Sequence, residues 1–252
     1  MARLRHPASQ SGDAMGNLAF LNEPTTLKNI DDALAASHVP RTRLGLSQAG
    51  HSCGRFLWYK HRGYPEDPPE PRIMRIFDLG NAIEDQVIKY LRLAGMEVTD
   101  QQKEVEYTRD GISLVGHIDG IVTGGVYEAP KTKHLFECKS AKKSKFEELV
   151  KLRSYQLWNA VYFWQTQFYM QCLKLKRAIK FVYCKDDSRL YCERLRLNNE
   201  ETTIRIHEVF DYITDETIPA RKCQRADNYE AKWCPFYREC FFNNQQQVKS
   251  LW

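Results

Sequence analysis

The chain has 252 residues, 42% hydrophobic and 12% aromatic, enough to bury a sizeable core in one domain with elaborations. A formal net charge of +5 leans mildly towards anionic partners and decides nothing by itself. No apolar run approaches the roughly 18 residues a membrane span needs, and eight cysteines without a secretory h-region predict a reducing, cytoplasmic setting with metal or thiol chemistry in place of a disulfide framework.

Residues Met1 to about Thr25 are basic and polar with scattered Gly, Ser and Pro, and are expected to form a flexible tail ahead of a single domain over 26–252. Leu27, Ile30 and Leu34, three and four apart, predict a helix over Thr26 to His38 with those residues inward. In SCGRFLWYKHRG, Ser52 to Gly63, Ser52 is placed to cap a helix. Its Phe56, Leu57 and Tyr59 would pack inward while Arg55, Lys60, His61 and Arg62 stay wet. A proline-rich link from Tyr64 to Pro71 precedes Arg72 to Ala94, where Ile73, Ile76, Phe77, Ile83, Val87, Ile88 and Leu91 keep a helical period. Gly80 and Glu84 share that face. The glycine would admit another backbone, and Glu84 either points into a site or reaches solvent from the edge of the stripe.

Met96 to Tyr107 and Gly111 to Thr123 alternate and are rich in Val, Ile and Tyr, with turn residues at Arg109, Asp110, Gly111, Gly124 and Gly125; with LFECKS they predict three antiparallel strands. The segment Val115 to Ser140 reads as two of these strands joined by a loop, with Asp119 on the first and Glu137 and Lys139 on the second. Side chains two apart project from one face of a strand, so Glu137 and Lys139 point together while Cys138 points away. Two carboxylates and an ammonium then interrupt core strand. They suit either a salt bridge at a sheet edge or a site for Mg2+ or Mn2+ with a lysine that offsets charge on a phosphate.

A basic run, Lys139, Lys142, Lys143 and Lys145, suits a solvated helix start or sequence-independent contact with a nucleic-acid backbone. Tyr155 to Leu173 is helical and aromatic-laden. Trp158, Tyr162, Gln165 and Tyr169 share a face that would be core, although the glutamine within it needs a partner. Strands over Ala178 to Cys184 and Leu190 to Leu195 follow, then a helix over Asn199 to Ile213 with Ile204, Ile206, Val209 and Phe210 inward. In Lys222 to Cys240 the thiols of Cys223, Cys234 and Cys240 cluster, with Cys53 a plausible fourth; such a set suits an iron-sulfur cluster, Zn2+ or free thiols. Cys138, Cys172, Cys184 and Cys192 fall inside regular elements as packing residues.

GHIDG followed by ECKS resembles motifs II and III of the PD-(D/E)XK nuclease superfamily, in its RecB-like and phage exonuclease branch. QTQFYM matches the QxxxY motif of RecB-like nucleases, and Glu84 preceded by Gly80 resembles motif I. The resemblance implies an α/β fold with an αβββαβ core, a mixed central sheet flanked by helices. It makes Glu84, Asp119 and Glu137 ligands for Mg2+ or Mn2+ and Lys139 catalytic, with Gln165 and Tyr169 supporting it. The cysteine pattern, ending WCPFYREC, is similar to the iron-sulfur RecB-like nucleases, which implies a [4Fe-4S] cluster on Cys53, Cys223, Cys234 and Cys240, with Zn2+ the alternative. One departure stands out: the family's C-terminal CxxC has Ala231 in its first place, and Cys223 lies eight residues earlier. The implied function is metal-dependent exonucleolysis of DNA in processing, recombination or repair, in the host cytoplasm for a phage protein. A structure-selective or helicase-associated nuclease, with a recombination or helicase partner, and a non-catalytic nucleic-acid-binding module are the alternatives.

Overall fold

The computed structural model describes residues 25–39, 43–127 and 129–243; the expected tail, up to its last residue, lies outside them. Helix α1 (Thr26–Ser37) is followed by a 3-10 turn at Leu46–Gln48, α2 (Gly54–His61) and α3 (Pro71–Leu93). Pro71 opens α3, where its missing N–H leaves no intrahelical bond unmade. Strands β1 (Glu97–Thr99), β2 (Glu104–Arg109), β3 (Ile112–His117), β4 (Gly120–Thr123) and β5 (His134–Ala141) come next. Helices α4 (Lys143–Leu152), α5 (Tyr155–Trp158) and α6 (Ala160–Cys172) then lead to β6 (Arg177–Cys184) and β7 (Leu190–Arg196). The chain continues through α7 (Asn199–Thr214), α8 (Tyr229–Lys232) and α9 (Tyr237–Phe241).

The main sheet has the order β1-β4-β5-β6-β7. Only β5 and β6 pair in parallel, as the long α4 to α6 crossover between them permits; the other neighbours are antiparallel. Alternation divides the core in two. Leu135 and Ala141 of β5 with Ala178, Val182 and Cys184 of β6 face one way, against Leu57 of α2, Phe168 of α6 and Phe210 of α7. Phe136, Cys138 and Ile179 face the other way, against Ile83, Val87, Ile88 and Leu91 of α3. The result is the expected α/β architecture, a mixed sheet between helices.

Several local expectations change. The three antiparallel strands become five segments: β2 and β3 leave the main sheet as a hairpin of their own, turning on Asp110 and Gly111 at φ +52° and +78°. The chain breaks between β3 and β4, and Asp119 sits in that break and not on a strand. Helix α1 forms, but Leu27 and Ile30 are exposed and Leu34 only half-buried, because α1 packs on α3 away from the sheet. For the same reason Phe77 is exposed and Ile73 and Ile76 are half-buried, while Gly80 meets open space and no approaching backbone. Cys53, not Ser52, is the N-cap of α2. Lys60 is buried in an ion pair with Glu66 where a wet residue was expected.

The helix expected over Tyr155 to Leu173 is two helices. Asn159 leaves helical backbone and accepts the Tyr162 N–H at 3.1 Å, ending α5 and capping α6. Asn198 caps α7 in the same way. On α7, Ile206, Val209 and Phe210 are buried as expected but Ile204 is exposed. Cys138 and Cys184 are buried and Cys172 half-buried, whereas Cys192 is exposed.

Candidate active site

Glu137 is the centre of the site. Its position on β5 faces α6, and in the parallel register it stands opposite Lys180 of β6. Both side chains have no solvent exposure. The two carboxylate oxygens of Glu137 differ sharply. Oε2 accepts a hydrogen bond from Gln165 Nε2 at 3.2 Å and lies 3.5 Å from Lys139 Nζ and 3.7 Å from Lys180 Nζ. Oε1 is buried and has no hydrogen-bond partner among the described residues.

Lys139, two residues along the same face, lies 3.8 Å from Asp119 Oδ2 and 5.6 Å from the Tyr162 ring centroid. Asp119 reaches it because the strand break frees it from the ladder; its Oδ2 accepts the Cys138 N–H at 2.7 Å, fixing the carboxylate against β5. Glu84 comes from α3, on the opposite side of the sheet, and accepts the Gln102 side-chain N–H at 3.0 Å. From there it senses Asp119, Lys139 and Glu137 electrostatically.

Burial and then Asp119 push the Glu84 carboxyl up to about 7. Burial, with Asp119 again second, also pushes Glu137 up. Burial works against the Lys139 charge, but Asp119 and Glu137 outweigh it and hold the ammonium well above its ordinary value. Asp119 and Glu137 both act on Glu84, and Asp119 on Glu137, against two buried lysines, but among the described residues no three His, Cys, Asp or Glu side chains, these three included, are grouped to hold a metal ion.

The site opens into a cleft of about 770 Å3, lined by Lys139, Tyr162, Gln165, Tyr169, Gln102 and His117 among others. Tyr169 lies one turn beyond Gln165 on α6 and is packed against β3. A Cβ on Gly116 would stand 2.5 Å from the Tyr169 hydroxyl, so the glycine of GHIDG is what admits the tyrosine. Of the expected site residues Lys139, Gln165 and Tyr169 line this cleft; Asp119 and Glu137 stand behind Lys139 through its ion pairs, and Glu84 reaches the cleft only through Gln102.

Two residues were not foreseen. Lys180, on a strand to which no site residue was assigned, sits 3.7 Å from Glu137 and 4.8 Å from the Tyr155 ring centroid. Tyr155, at the start of α5, is buried with its backbone N–H on Glu193 at 2.9 Å. A lysine at the centre of AIKFVYC is the one signal that pointed there, since a charge in a run of core strand needs a partner.

The four candidate cluster cysteines gather from both ends of the chain. Cys53, Cys240 and Cys223 all act on Cys234, whose thiol burial first pushes up to about 11. Arg55 extends from α2 to Cys240 Sγ at 3.9 Å. Yet among the described residues no three His, Cys, Asp or Glu side chains converge as a metal-binding group. The cysteine metal site expected from the sequence is therefore not formed among the described residues.

No protein-family model and no curated protein matches the chain. Among solved structures, SSO0001 is similar at a TM-score of 0.48 and 17% identity, over 84% of this chain and 95% of that one. An alkaline exonuclease (LHK-Exo) from Laribacter hongkongensis follows at 0.45 and 16%, over 72% and 92%. LHK-Exo in complex with dAMP stands at 0.43 and 14%, over 74% and 92%. These are likenesses of general shape, and what the chain does is argued from its own site. Among the described residues no helix is long and apolar enough to cross a membrane.

Proposed function

We propose that the chain is a divalent-cation-dependent DNA nuclease, an exonuclease that hydrolyses phosphodiester bonds during DNA processing, recombination or repair. The observation that carries this reading is the inequality of the two Glu137 oxygens. Three cationic or amide groups surround Oε2, while Oε1 is buried without a donor. A buried carboxylate oxygen without a partner fits a hard cation, and Glu84, Asp119 and Glu137 would hold Mg2+ or Mn2+ once drawn about a common point. When bound, the cation supplies Lewis acidity to a phosphoryl oxygen and makes water a better nucleophile.

The protein's own groups do the rest. Lys139 is held as an ammonium by Asp119 and Glu137, so its part is to offset charge as it grows on the phosphate. The Tyr162 ring narrows where that ammonium can stand. Gln165 keeps Glu137 Oε2 in place. Tyr169, whose phenol burial keeps protonated, offers an O–H donor to a phosphate oxygen in the cleft. Lys142, Lys143 and Lys145, at the start of α4 just past β5, are placed to meet the nucleic-acid backbone without reading sequence.

Within this reading Cys53, Cys223, Cys234 and Cys240 hold a structural [4Fe-4S] cluster, with Zn2+ as the alternative ion. Support comes from the donor chemistry of the four thiols. Joining segments about 170 residues apart would remove chain entropy from the unfolded state. Iron, sulfide and zinc content of anaerobically purified protein, with and without Cys→Ser substitutions, checks the assignment.

Cleavage of 5'- and 3'-labelled linear single- and double-stranded DNA, and of closed circles, with Mn2+ or Mg2+ tests the activity. Loss of cleavage in Lys139→Ala and in EDTA is the expected result, with circles resistant. DNA binding without cleavage by folded, metal-replete protein would replace the enzyme with a binding module.

A further inference from the structure

The loop between β1 and β2 carries a conformational oddity next to the site. Asp100 and Gln102 both have left-handed backbone, at φ +53° and +55°, which residues with a side chain adopt reluctantly. Glycine is the ordinary solution at such a place, and at Gln102 the chain keeps a long amide instead.

That amide is used. Gln102 Nε2 donates to Glu84 Oε1 at 3.0 Å, and the residue lines the cleft. The same residue's backbone N–H donates to the Ile118 carbonyl at 2.9 Å, and Ile118 N–H returns a bond to the Lys103 carbonyl at 3.0 Å. Ile118 directly precedes Asp119. Its neighbour Gln101 accepts from Arg92 of α3 at 2.6 Å. One short loop therefore ties the helix that carries Glu84 to the strand break that carries Asp119. These two carboxylates come from different sides of the sheet and have no covalent or ladder connection that would set their relative position.

We propose that Gln102 is a positioning residue for the cation site, holding one oxygen of Glu84 through its side chain while its left-handed backbone registers Asp119. The inference rests on the nuclease reading and adds a residue to it. In its left-handed conformation this one residue makes both bonds.

Mn2+ titration of the full-length protein by calorimetry, without DNA, tests it on wild type, Gln102→Ala and Gln102→Gly. Glycine relieves the left-handed backbone and removes the amide, whereas alanine removes the amide alone. Both variants are expected to bind Mn2+ about tenfold more weakly, the usual effect of removing a group that orients a ligand. The melting temperature of Gln102→Gly in EDTA is expected to stay close to wild type. Cleavage should need correspondingly more Mn2+, with the rate at saturating Mn2+ changed far less. Wild-type affinity in both variants, or affinity restored by glycine alone, would overturn the proposal. So would a loss of affinity that follows a fall in melting temperature in both. Failure of wild type itself to bind Mn2+ would overturn the nuclease reading along with it, which separates the two.

Discussion

Glu137 and Lys180 face each other across two parallel strands, wholly buried, with 3.7 Å between Lys180 Nζ and Glu137 Oε2. Taking one partner away leaves a buried charge less compensated, and the loss in such cases is about 3 kcal/mol or more. Lys180→Met is expected to lower unfolding stability by about that amount in EDTA. Combining it with Glu137→Leu should return part of the loss, because the two buried charges then leave together while Lys139 keeps Asp119. Urea unfolding of the two single variants and the double variant measures the coupling.

In the metal-free protein the contributions of Glu84 and Glu137 to stability should fall as pH rises. Glu84 is raised from an ordinary 4.5 to about 7, and Glu137 is also raised. A carboxyl raised on folding binds its proton more tightly in the native state. Its contribution is present in full below about pH 4.5 and is lost as pH climbs through about 7. Burial pushes His51 down to about 4 and Lys180 down to about 8, and both act the other way as pH rises. The expected observation is therefore a difference: the melting temperature of wild type minus that of Glu84→Gln, both in EDTA, decreases between pH 5 and pH 8. A difference that increases across that interval would contradict the assigned environment of Glu84.

Gly116→Ala should cost about 2 kcal/mol, since its Cβ would meet the buried Tyr169 ring and hydroxyl well inside contact distance. In a Tyr169→Ala background the same change should cost far less. Chemical denaturation of the four proteins supplies the cycle, and cleavage rates show whether a displaced Tyr169 slows the reaction.

Asn159→Ala should cost about 1 kcal/mol by removing the acceptor for the Tyr162 N–H at the start of α6. Because α6 carries Gln165 and Tyr169, its first turn should also exchange amide hydrogens faster. Hydrogen exchange with mass spectrometry resolves this segment from the remainder of the sheet.

Thiol reactivity should divide the cysteines by burial. The Cys138 thiol is pushed up to about 12 and Cys172 up to about 11, in both cases by burial first, so at pH 8 only about one Cys172 in 1,000 is thiolate. Cys192, which is exposed, is expected to be alkylated before either. Timed iodoacetamide labelling followed by peptide mapping gives the order.

Local pattern alone determined much of this protein. The i, i+2 spacing of Glu137 and Lys139 placed both on one face of β5 and turned Cys138 to the other core, because alternation in a strand follows from backbone geometry. The 3.6-residue period likewise set α3, α6 and α7, and the i, i+4 spacing put Gln165 beside Tyr169. Tertiary structure decided what periodicity cannot encode. The apolar stripe of α1 and the first half of α3 is the same text as a core helix, and burial depends on whether a sheet lies against it; none does there. Lys180 became part of the site through the parallel pairing of β5 with β6, a register set across a crossover of 35 residues. Glu84 comes within electrostatic reach of Asp119 across a strand break and a loop with left-handed backbone, both bonded to residues distant in sequence. A sequence pattern records which way a side chain points from its own element, whereas which other elements stand in front of it is fixed only when the chain packs.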